Sequence, residues 1–274
     1  MKKIALIVNF DKDNALTVAS DIIKLLEGKA QIFCPISDAS LLKGAFPLEE
    51  SKLFSSCNTV AVLGGDGTII TAAKKCAQHD NIIIGINIGN LGYLSTFENS
   101  RLEEAAKLLL SDDIHYDNRY MFCAKVYADG KEAGTFYALN EIVLSRKEAS
   151  RLTDFSVFSG EKTICSCRAD GIIVATPTGS TAYSLSAGGP IVSPDTDAMI
   201  ITPICPHTLR ARSIVVAPKL LSLRSQSECT LSVDGQKVFS LNENDYITVE
   251  KSPYFVKLAH RKELSFYDIL QKKL

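Results

Sequence analysis

Apolar positions along this chain follow two rhythms. Up to about Asp117, short unbroken apolar runs alternate with stretches whose apolar residues recur every three or four positions. Ile4-Ala5-Leu6-Ile7-Val8 predicts a buried strand, and Ala15, Val18, Ala19, Ile22 and Leu26 then mark one face of a helix that stops near Gly28. Gln31-Ile32-Phe33-Cys34 reads as a second strand, Asp38 to Lys52 is poorly patterned, and Val60-Ala61-Val62-Leu63 is a further buried run. Ile69, Ala72, Ala73, Cys76 and Ala77 restore the helical spacing, Ile82-Ile83-Ile84-Gly85-Ile86 predicts another strand, and Leu102, Ala105, Ala106 and Leu109 another helix. Strands alternating with helices predict a parallel sheet covered on both faces. Ligands of such sheets bind at the carboxyl ends of the strands, where the Gly64–Thr68 and Gly89–Tyr93 loops both emerge.

Beyond Asp117 the pattern becomes all-β. Phe122 to Tyr127 and Thr135 to Leu139 flank Ala128-Asp129-Gly130-Lys131, and Phe155 to Phe158 and Thr163 to Cys167 flank Ser159-Gly160-Glu161-Lys162, two hairpin signals. Short strands continue at Ile172–Ala175, Met199–Thr202, Ser213–Ala217, Cys229–Val233 and Tyr246–Glu250. Ser265 to Leu274 ends the chain with Phe266, Ile269 and Leu270 at helical spacing. Two domains with a cleft between them are expected.

Composition narrows the class. With 274 residues, 46% of them hydrophobic, the chain can build one large core or two modest ones. A net charge of −1 with 22% charged residues gives no electrostatic reason to expect nucleic acid or an anionic membrane as partner. The first apolar run is too short for a signal-peptide core and no run reaches membrane-spanning length, so a soluble cytoplasmic protein is expected. The eight cysteines lie scattered in mostly apolar stretches, as buried reduced thiols would. Cys165-x-Cys167 lacks a second pair of comparable spacing, so no zinc site is expected.

The densest chemistry lies in Gly64-Gly65-Asp66-Gly67-Thr68, between a buried strand and a helix for which Thr68 is a candidate N-cap. Three glycines let backbone N–H groups approach an anion, and the helix N-terminus adds partial positive charge. A carboxylate would repel a bound phosphate, so Asp66 points to a task such as taking a proton from an attacking hydroxyl or helping to hold a metal. Asp between glycines is also ordinary turn chemistry. Ile70 occupies the third glycine position of a dinucleotide fingerprint, and no Gly-Lys-Ser/Thr follows, so neither standard nucleotide loop is present.

Asn140-Glu141 sits between apolar runs, where a glutamate needs water, a partner or a ligand. The strand Ile172–Ala175 ends in Thr176-Pro177-Thr178-Gly179-Ser180-Thr181-Ala182-Tyr183-Ser184, whose hydroxyls, small side chains and single aromatic ring suit a sugar and a base. Gly-x-Ser-x-Gly is absent, so a serine hydrolase is not indicated. His207, Arg210 and Arg212 receive no role, and Asp234-Gly235-Gln236 reads first as a hairpin turn and second as a substrate contact.

Taken in order, Gly64-Gly65-Asp66-Gly67-Thr68, Asn140-Glu141, the Thr176–Ser184 segment and Asp234-Gly235-Gln236 resemble the NAD kinase family over nearly the full length. The first motif is shared with diacylglycerol and sphingosine kinases, but neither of the next two suits a lipid. A departure lies at Leu91-Gly92-Tyr93, where the family commonly has Leu-Gly-Phe. The resemblance implies a Rossmann-like α/β N-terminal domain over residues 1–118, an all-β sandwich-like C-terminal domain over 119–260, and a final helix, 261–274, returning to the first domain. It implies phosphorylation of the 2′-hydroxyl of the adenosine ribose of NAD by ATP, in some members by polyphosphate, in a homodimer or homotetramer. Magnesium would arrive with ATP, held by phosphate oxygens and waters rather than by a cage of protein ligands. Carried onto this chain, Asp66 would be the base, with Gly64, Gly65, Gly67 and Thr68 around the phosphates. Asn140 and Glu141 would hold the adenosine side, and Asp170 the nicotinamide end. Thr181, Ala182, Tyr183 and Ser186 would line the nucleoside pocket, with Tyr93 a further NAD contact.

Overall fold

The alternating first part forms an open parallel sheet. In the computed structural model, which describes residues 1–89, 92–148, 153–208, 210–261 and 263–273, its elements run in the expected order. They are β1 (Lys2–Val8), α1 (Ala15–Leu26), β2 (Ala30–Pro35), β3 (Phe46–Leu48), α2 (Glu50–Ser56), β4 (Thr59–Gly64), α3 (Asp66–Gln78), β5 (Ile82–Asn87), β6 (Phe97–Glu98) and α4 (Leu102–Leu110). Parallel pairing gives the order β3-β2-β1-β4-β5. Strand order therefore reverses between β1 and β4, the Rossmann-like arrangement, and a crevice opens outside the carboxyl ends of those two strands.

Alternation along each strand sorts side chains to two faces. Ile4, Leu6 and Val8 of β1, Ala61 and Leu63 of β4, and Ile84 and Ile86 of β5 pack in one cluster with α1 and α4. α1 buries all five residues marked by its spacing, together with Ile23. On the other face Gly85 admits α3: a Cβ there would lie 2.6 Å from Ile69 Cδ1 and 3.1 Å from Ser95 Cα. Two local expectations are corrected. α3 begins at Asp66 with Gly65 as its N-cap residue, so Thr68 is not the cap. The poorly patterned stretch 38–52 holds β3 and the start of α2, elements of three and seven residues that are too short to show a period.

The remaining elements are β7 (Tyr116–Ala128), β8 (Lys131–Ala138), β9 (Glu141–Arg146), β10 (Thr153–Ser159), β11 (Lys162–Ala169), β12 (Gly171–Ala175), the single-turn α5 (Tyr183–Ser186), β13 (Met199–Ile204), β14 (Ile214–Val216), β15 (Leu221–Ser225), β16 (Cys229–Val233), β17 (Gln236–Leu241), β18 (Tyr246–Ala259) and α6 (Phe266–Lys273). By contacts the chain divides into one unit of Met1–Arg119 with Phe255–Leu274, and a second of Tyr120–Tyr254. Both expected hairpins form. Asp129 and Gly130 have positive φ between β7 and β8, and Gly160 does between β10 and β11.

The second unit is a sandwich of antiparallel strands. One layer has the order β14-β13-β12-β9-β16-β17; the other contains β11-β10-β15 with the first half of β18, and β7 paired to β8. Ile142, Leu144, Ile172, Val174, Met199 and Leu231 of the first layer meet Phe122, Phe155, Leu223, Ile247 and Val249 of the second in one core. The outer face of the six-stranded layer is not bare. Val143, Ile173, Ala175 and Ile200 are packed against Ala187 and Val192, so the segment after β12 folds back over its own sheet.

β18 runs well past the expected end at Glu250, because Lys251, Ser252 and Pro253 interrupt the apolar alternation without ending the strand. Its last part belongs to the first unit, where Lys257 and Leu258 pair in parallel with Ile82 and Ile83. α6 belongs there too, with Ile269 buried and a reciprocal cap between Ser265 and Asp268. Asn90 and Leu91 of the Gly89–Tyr93 loop, Leu209, and Leu274 at the end of the tail lie outside the described residues. All eight cysteines are free, and burial raises the thiol pKa of Cys57, Cys165 and Cys229 to about 11.

The Gly85 contact gives a stability prediction. Gly85→Ala forces a methyl group against Ile69 and the Ser95 backbone, which should cost about 1–3 kcal/mol and lower the calorimetric melting temperature. An unchanged melting temperature would show that α3 can move aside at no cost.

Candidate functional site

In the first unit the candidate residues gather at the switch between β1 and β4. Gly64 closes β4 against the start of α3, and a Cβ there would lie 2.4 Å from Thr68 Oγ1. Asn9, just after β1, donates its backbone N–H to Leu63 O at 2.9 Å and its side-chain amide to Thr68 Oγ1 at 3.2 Å. The two strand ends and the first turn of α3 are thereby locked together. Gly65 and Gly67 are different. Beyond its chain neighbours and the backbone of α3, a Cβ at either would meet no atom within 4 Å, and neither has a positive φ. No contact with the rest of the chain requires glycine there, and the backbone at the positive end of α3 is left open to close approach.

Asp66 opens α3, and its half-buried side chain turns to the loop after β5. Oδ2 accepts the Tyr93 N–H at 2.8 Å and Oδ1 the Leu94 N–H at 3.1 Å. Gly92 lies so close that a Cβ would come within 1.9 Å of Oδ1. Gly92 N–H and the Asn87 side chain both donate to Ser95 Oγ at 3.2 Å, which fixes the turn from below. With two donors on its two oxygens the carboxylate keeps acceptor capacity for a further proton or cation. Burial, and after it the Asp66 charge, push the Tyr93 phenol above its ordinary pKa. Among the described residues no three His, Cys, Asp or Glu side chains converge as a metal cage.

In the second unit the organiser is Asp234. It forms the β16–β17 turn with Gly235, both at positive φ, and so is a turn residue as its sequence suggested. Its carboxylate also accepts three backbone N–H groups, from Leu139 at 3.0 Å, Asn140 at 2.8 Å and Glu141 at 3.1 Å. From the opposite side Thr176 Oγ1 donates to Leu139 O at 2.6 Å, and Thr176 N–H to Asn140 O at 2.8 Å. Gly179 lies so near that a Cβ would sit 2.1 Å from Asn140 O. Asn140 and Glu141 are thus clamped through their backbones, which leaves their side chains to other partners.

Those side chains are buried and incompletely satisfied. Asn140 Oδ1 and Glu141 Oε2 have no hydrogen-bond partner. Burial and the neighbouring Asp234 carboxylate raise the Glu141 pKa to about 7, against the opposing effect of the Tyr183 backbone N–H. Tyr183 itself is 45% exposed, Thr181 and Ala182 are half-buried, and Ser186 is exposed. The expected wealth of free hydroxyls is corrected: Thr176 binds Leu139, Ser180 Oγ both donates to Val192 O and accepts its N–H, and Ser184 pairs with Thr202 at 3.0 Å. These hydroxyls fold the segment.

The second unit brings Asn140, Glu141, Ala182 and Tyr183 together. It does not bring Asp170 to them. Glu141 pairs with Ala175 and Ser145 with Gly171, so Asp170 lies at the far end of β12, roughly 16 Å along the strand. There it meets Arg146 Nη2 at 3.0 Å. His207 donates its N–H to Arg168 O, and Arg212 donates to Ala211 O. Asn9, Gly92 and the anchoring role of Asp234 escaped the sequence reading. Gly92 and Asp234 both stood in motifs, Leu91-Gly92-Tyr93 and Asp234-Gly235-Gln236, but neither motif showed that Gly92 would pack on Asp66 or that Asp234 would anchor residues 139–141.

Residues 4–114 match the family model of the ATP-NAD kinase N-terminal domain, and residues 139–261 that of the ATP-NAD kinase C-terminal domain. The NAD kinase of Symbiobacterium thermophilum is 40% identical over 280 residues, spanning 100% of this chain and 99% of that protein. The chain belongs to the NAD kinase family. A second member, the NAD kinase of Carboxydothermus hydrogenoformans, is 43% identical over 219 residues, 78% of each chain. The fold is shared with a yeast NADH kinase crystallised with NADH, at a TM-score of 0.87, 24% identity, and coverage of 96% of this chain and 84% of that one. It is shared as well with an Archaeoglobus fulgidus NAD kinase in complex with ATP, at a TM-score of 0.76, 24% identity, and coverage of 99% and 98%.

Glu141 makes stability depend on pH. Its folded pKa of about 7 lies above the ordinary 4.5, so ionisation favours the unfolded chain, and a penalty of about 3 kcal/mol develops as pH rises from 4.5 to 7. Glu141→Gln removes the charge. The variant should match the wild type near pH 4.5 and become progressively more stable than it by pH 7.5 in thermal melts. A stability difference that does not change with pH would refute the burial of that charge.

Proposed function

We propose that this chain transfers the terminal phosphoryl group of ATP to the 2′-hydroxyl of the adenosine ribose of NAD, forming NADP. The observation that carries this is the pair of buried, unpartnered oxygens of Asn140 and Glu141 beside the exposed ring of Tyr183. Buried acceptors without donors are costly, and ribose hydroxyls or an adenine amine would supply the donors. Tyr183 offers a ring face for a base, with Thr181, Ala182 and Ser186 completing the nucleoside pocket and Tyr93 a further contact. Asp170, held by Arg146, is assigned to the nicotinamide end. Relatives named NAD kinase along the whole chain support the same substrates.

The chemistry falls to the first unit. Gly64, Gly65, Gly67 and Thr68 present the start of α3 to the phosphates. Asp66 takes the proton as the ribose oxygen attacks the γ-phosphorus, and ADP leaves with the bridging oxygen. Magnesium enters as part of the metal–ATP substrate, its ligands coming mainly from phosphate oxygens and water. Polyphosphate is the alternative donor. The proposal includes a homodimer or homotetramer in the cytoplasm with neither nucleic acid nor membrane as partner. Among the described residues no helix is long and apolar enough to cross a membrane.

NADP formation measured with NAD and either ATP or polyphosphate tests the activity, and no product with either donor would overturn it. Asp66→Asn should lower kcat by about 10²–10⁴ while NAD affinity stays within a few-fold. A variant with near wild-type kcat would remove Asp66 from the proton transfer.

A further inference from the structure

Among the described residues, both hydrogen bonds that orient the Asp66 carboxylate come from one segment, the Tyr93 and Leu94 N–H groups. That segment belongs to no helix or strand, so its own backbone bonding does not stiffen it. Its downstream end is anchored, since Thr96 donates its N–H to Gly85 O at 2.8 Å and its hydroxyl to Ala259 O at 2.7 Å. The C-terminal helix lies beside Tyr93 and Leu94, across a small cavity that residues of β7 and β18 also line. Leu264, Phe266 and Ile269 line a cavity of about 50 Å³ with Tyr93 and Leu94, and Lys273 Nζ lies 5.5 Å from the centre of the Tyr93 ring. Leu94 is 7% exposed and Ile269, the buried residue of α6, 8%.

We propose that α6 is a positioning element for phosphoryl transfer, in which Ile269 and Lys273 hold the Tyr93–Leu94 backbone and that backbone aims the Asp66 carboxylate. The inference rests on the proposed role of Asp66. An oxygen held by two N–H groups follows them when they move, and a shift of about 1 Å in a reacting group costs about 10²-fold in rate. The cavity beside Ile269 already leaves the segment room to shift once that side chain is trimmed. Apolar spacing alone identifies α6 as a helix that covers a surface; the carboxylate two contacts away gives that surface a purpose.

Backbone amide exchange followed by NMR on the full chain reads the positioning directly. Asp66→Ala should accelerate exchange at Tyr93 and Leu94, which establishes the signal. Ile269→Ala should accelerate the same two amides and lower kcat by about tenfold, with KM for NAD and ATP within about threefold, and Ile269→Leu should restore both. Lys273→Ala, at an exposed position, should act in the same direction by about two- to threefold and remains available should Ile269→Ala not fold. Unchanged exchange at Tyr93 and Leu94 in folded Ile269→Ala or Lys273→Ala protein would overturn the proposal. So would a wild-type kcat in those variants when Asp66→Asn is inactive. A fully active Asp66→Asn would instead overturn the role of Asp66 in proton transfer, with the exchange result still reporting on α6.

Discussion

A carboxylate withdrawn from bulk water must find donors, and each half of this chain is arranged around an aspartate that finds them on a distant loop. Asp66 takes the N–H groups of Tyr93 and Leu94; Asp234 takes those of Leu139, Asn140 and Glu141. In one place the donors lie at the mouth of β9 and in the other in the irregular segment after β5, and in both sheet pairing leaves them without partners. Each aspartate therefore ties an irregular segment to a regular element, and each tie lies beside residues that have capacity left for something else. A hydrogen bond to a charged group contributes about 1.5–3 kcal/mol, enough to fix a loop that has no ladder of its own.

Much of this was legible in the sequence where a period was long enough to read. α1, α3 and the strands around them carry unbroken apolar patterns, and the Asp129-Gly130 and Gly160-Glu161 turns announce their hairpins. What stayed hidden depended on contacts between distant residues. β3 has three residues, and β18 continues through a polar and proline interruption because pairing on either side sustains it. The hydroxyls of Thr176, Ser180 and Ser184 look in sequence like ligand groups, yet tertiary folding turns them to Leu139, Val192 and Thr202. Hydroxyl density signals a segment rich in hydrogen bonds and leaves the direction of those bonds open.

The glycines separate structural need from functional need more cleanly. Gly64, Gly85, Gly92 and Gly179 are each required by an atom of the chain, since a side chain at any of them would meet Thr68, Ile69, Asp66 or Asn140. Gly65 and Gly67 are required by none. A glycine that the fold does not need still costs conformational entropy on folding, and under the proposed function that cost at the positive end of α3 is offset by a ligand. Close approach of phosphate to backbone N–H groups would supply that offset. The same loop thus contains one glycine that packs and two that expose.

Glu141 is the mirror image of that case. Its neighbours, far from stabilising its charge, raise its pKa: burial removes water and Asp234 adds a second negative charge, with the Tyr183 N–H as partial compensation. A site optimised for stability alone would replace it with an apolar residue of similar size. A ligand that donates hydrogen bonds to the ionised carboxylate reverses the balance, because it lowers the raised pKa and recovers part of the desolvation cost. Binding of such a ligand must release a proton near pH 7, and by linkage its affinity must rise as pH passes through that value. The energetic cost that Glu141 imposes on the unliganded chain and the selectivity it would give the proposed site toward hydroxyl- and amine-bearing ligands are two readings of one buried charge.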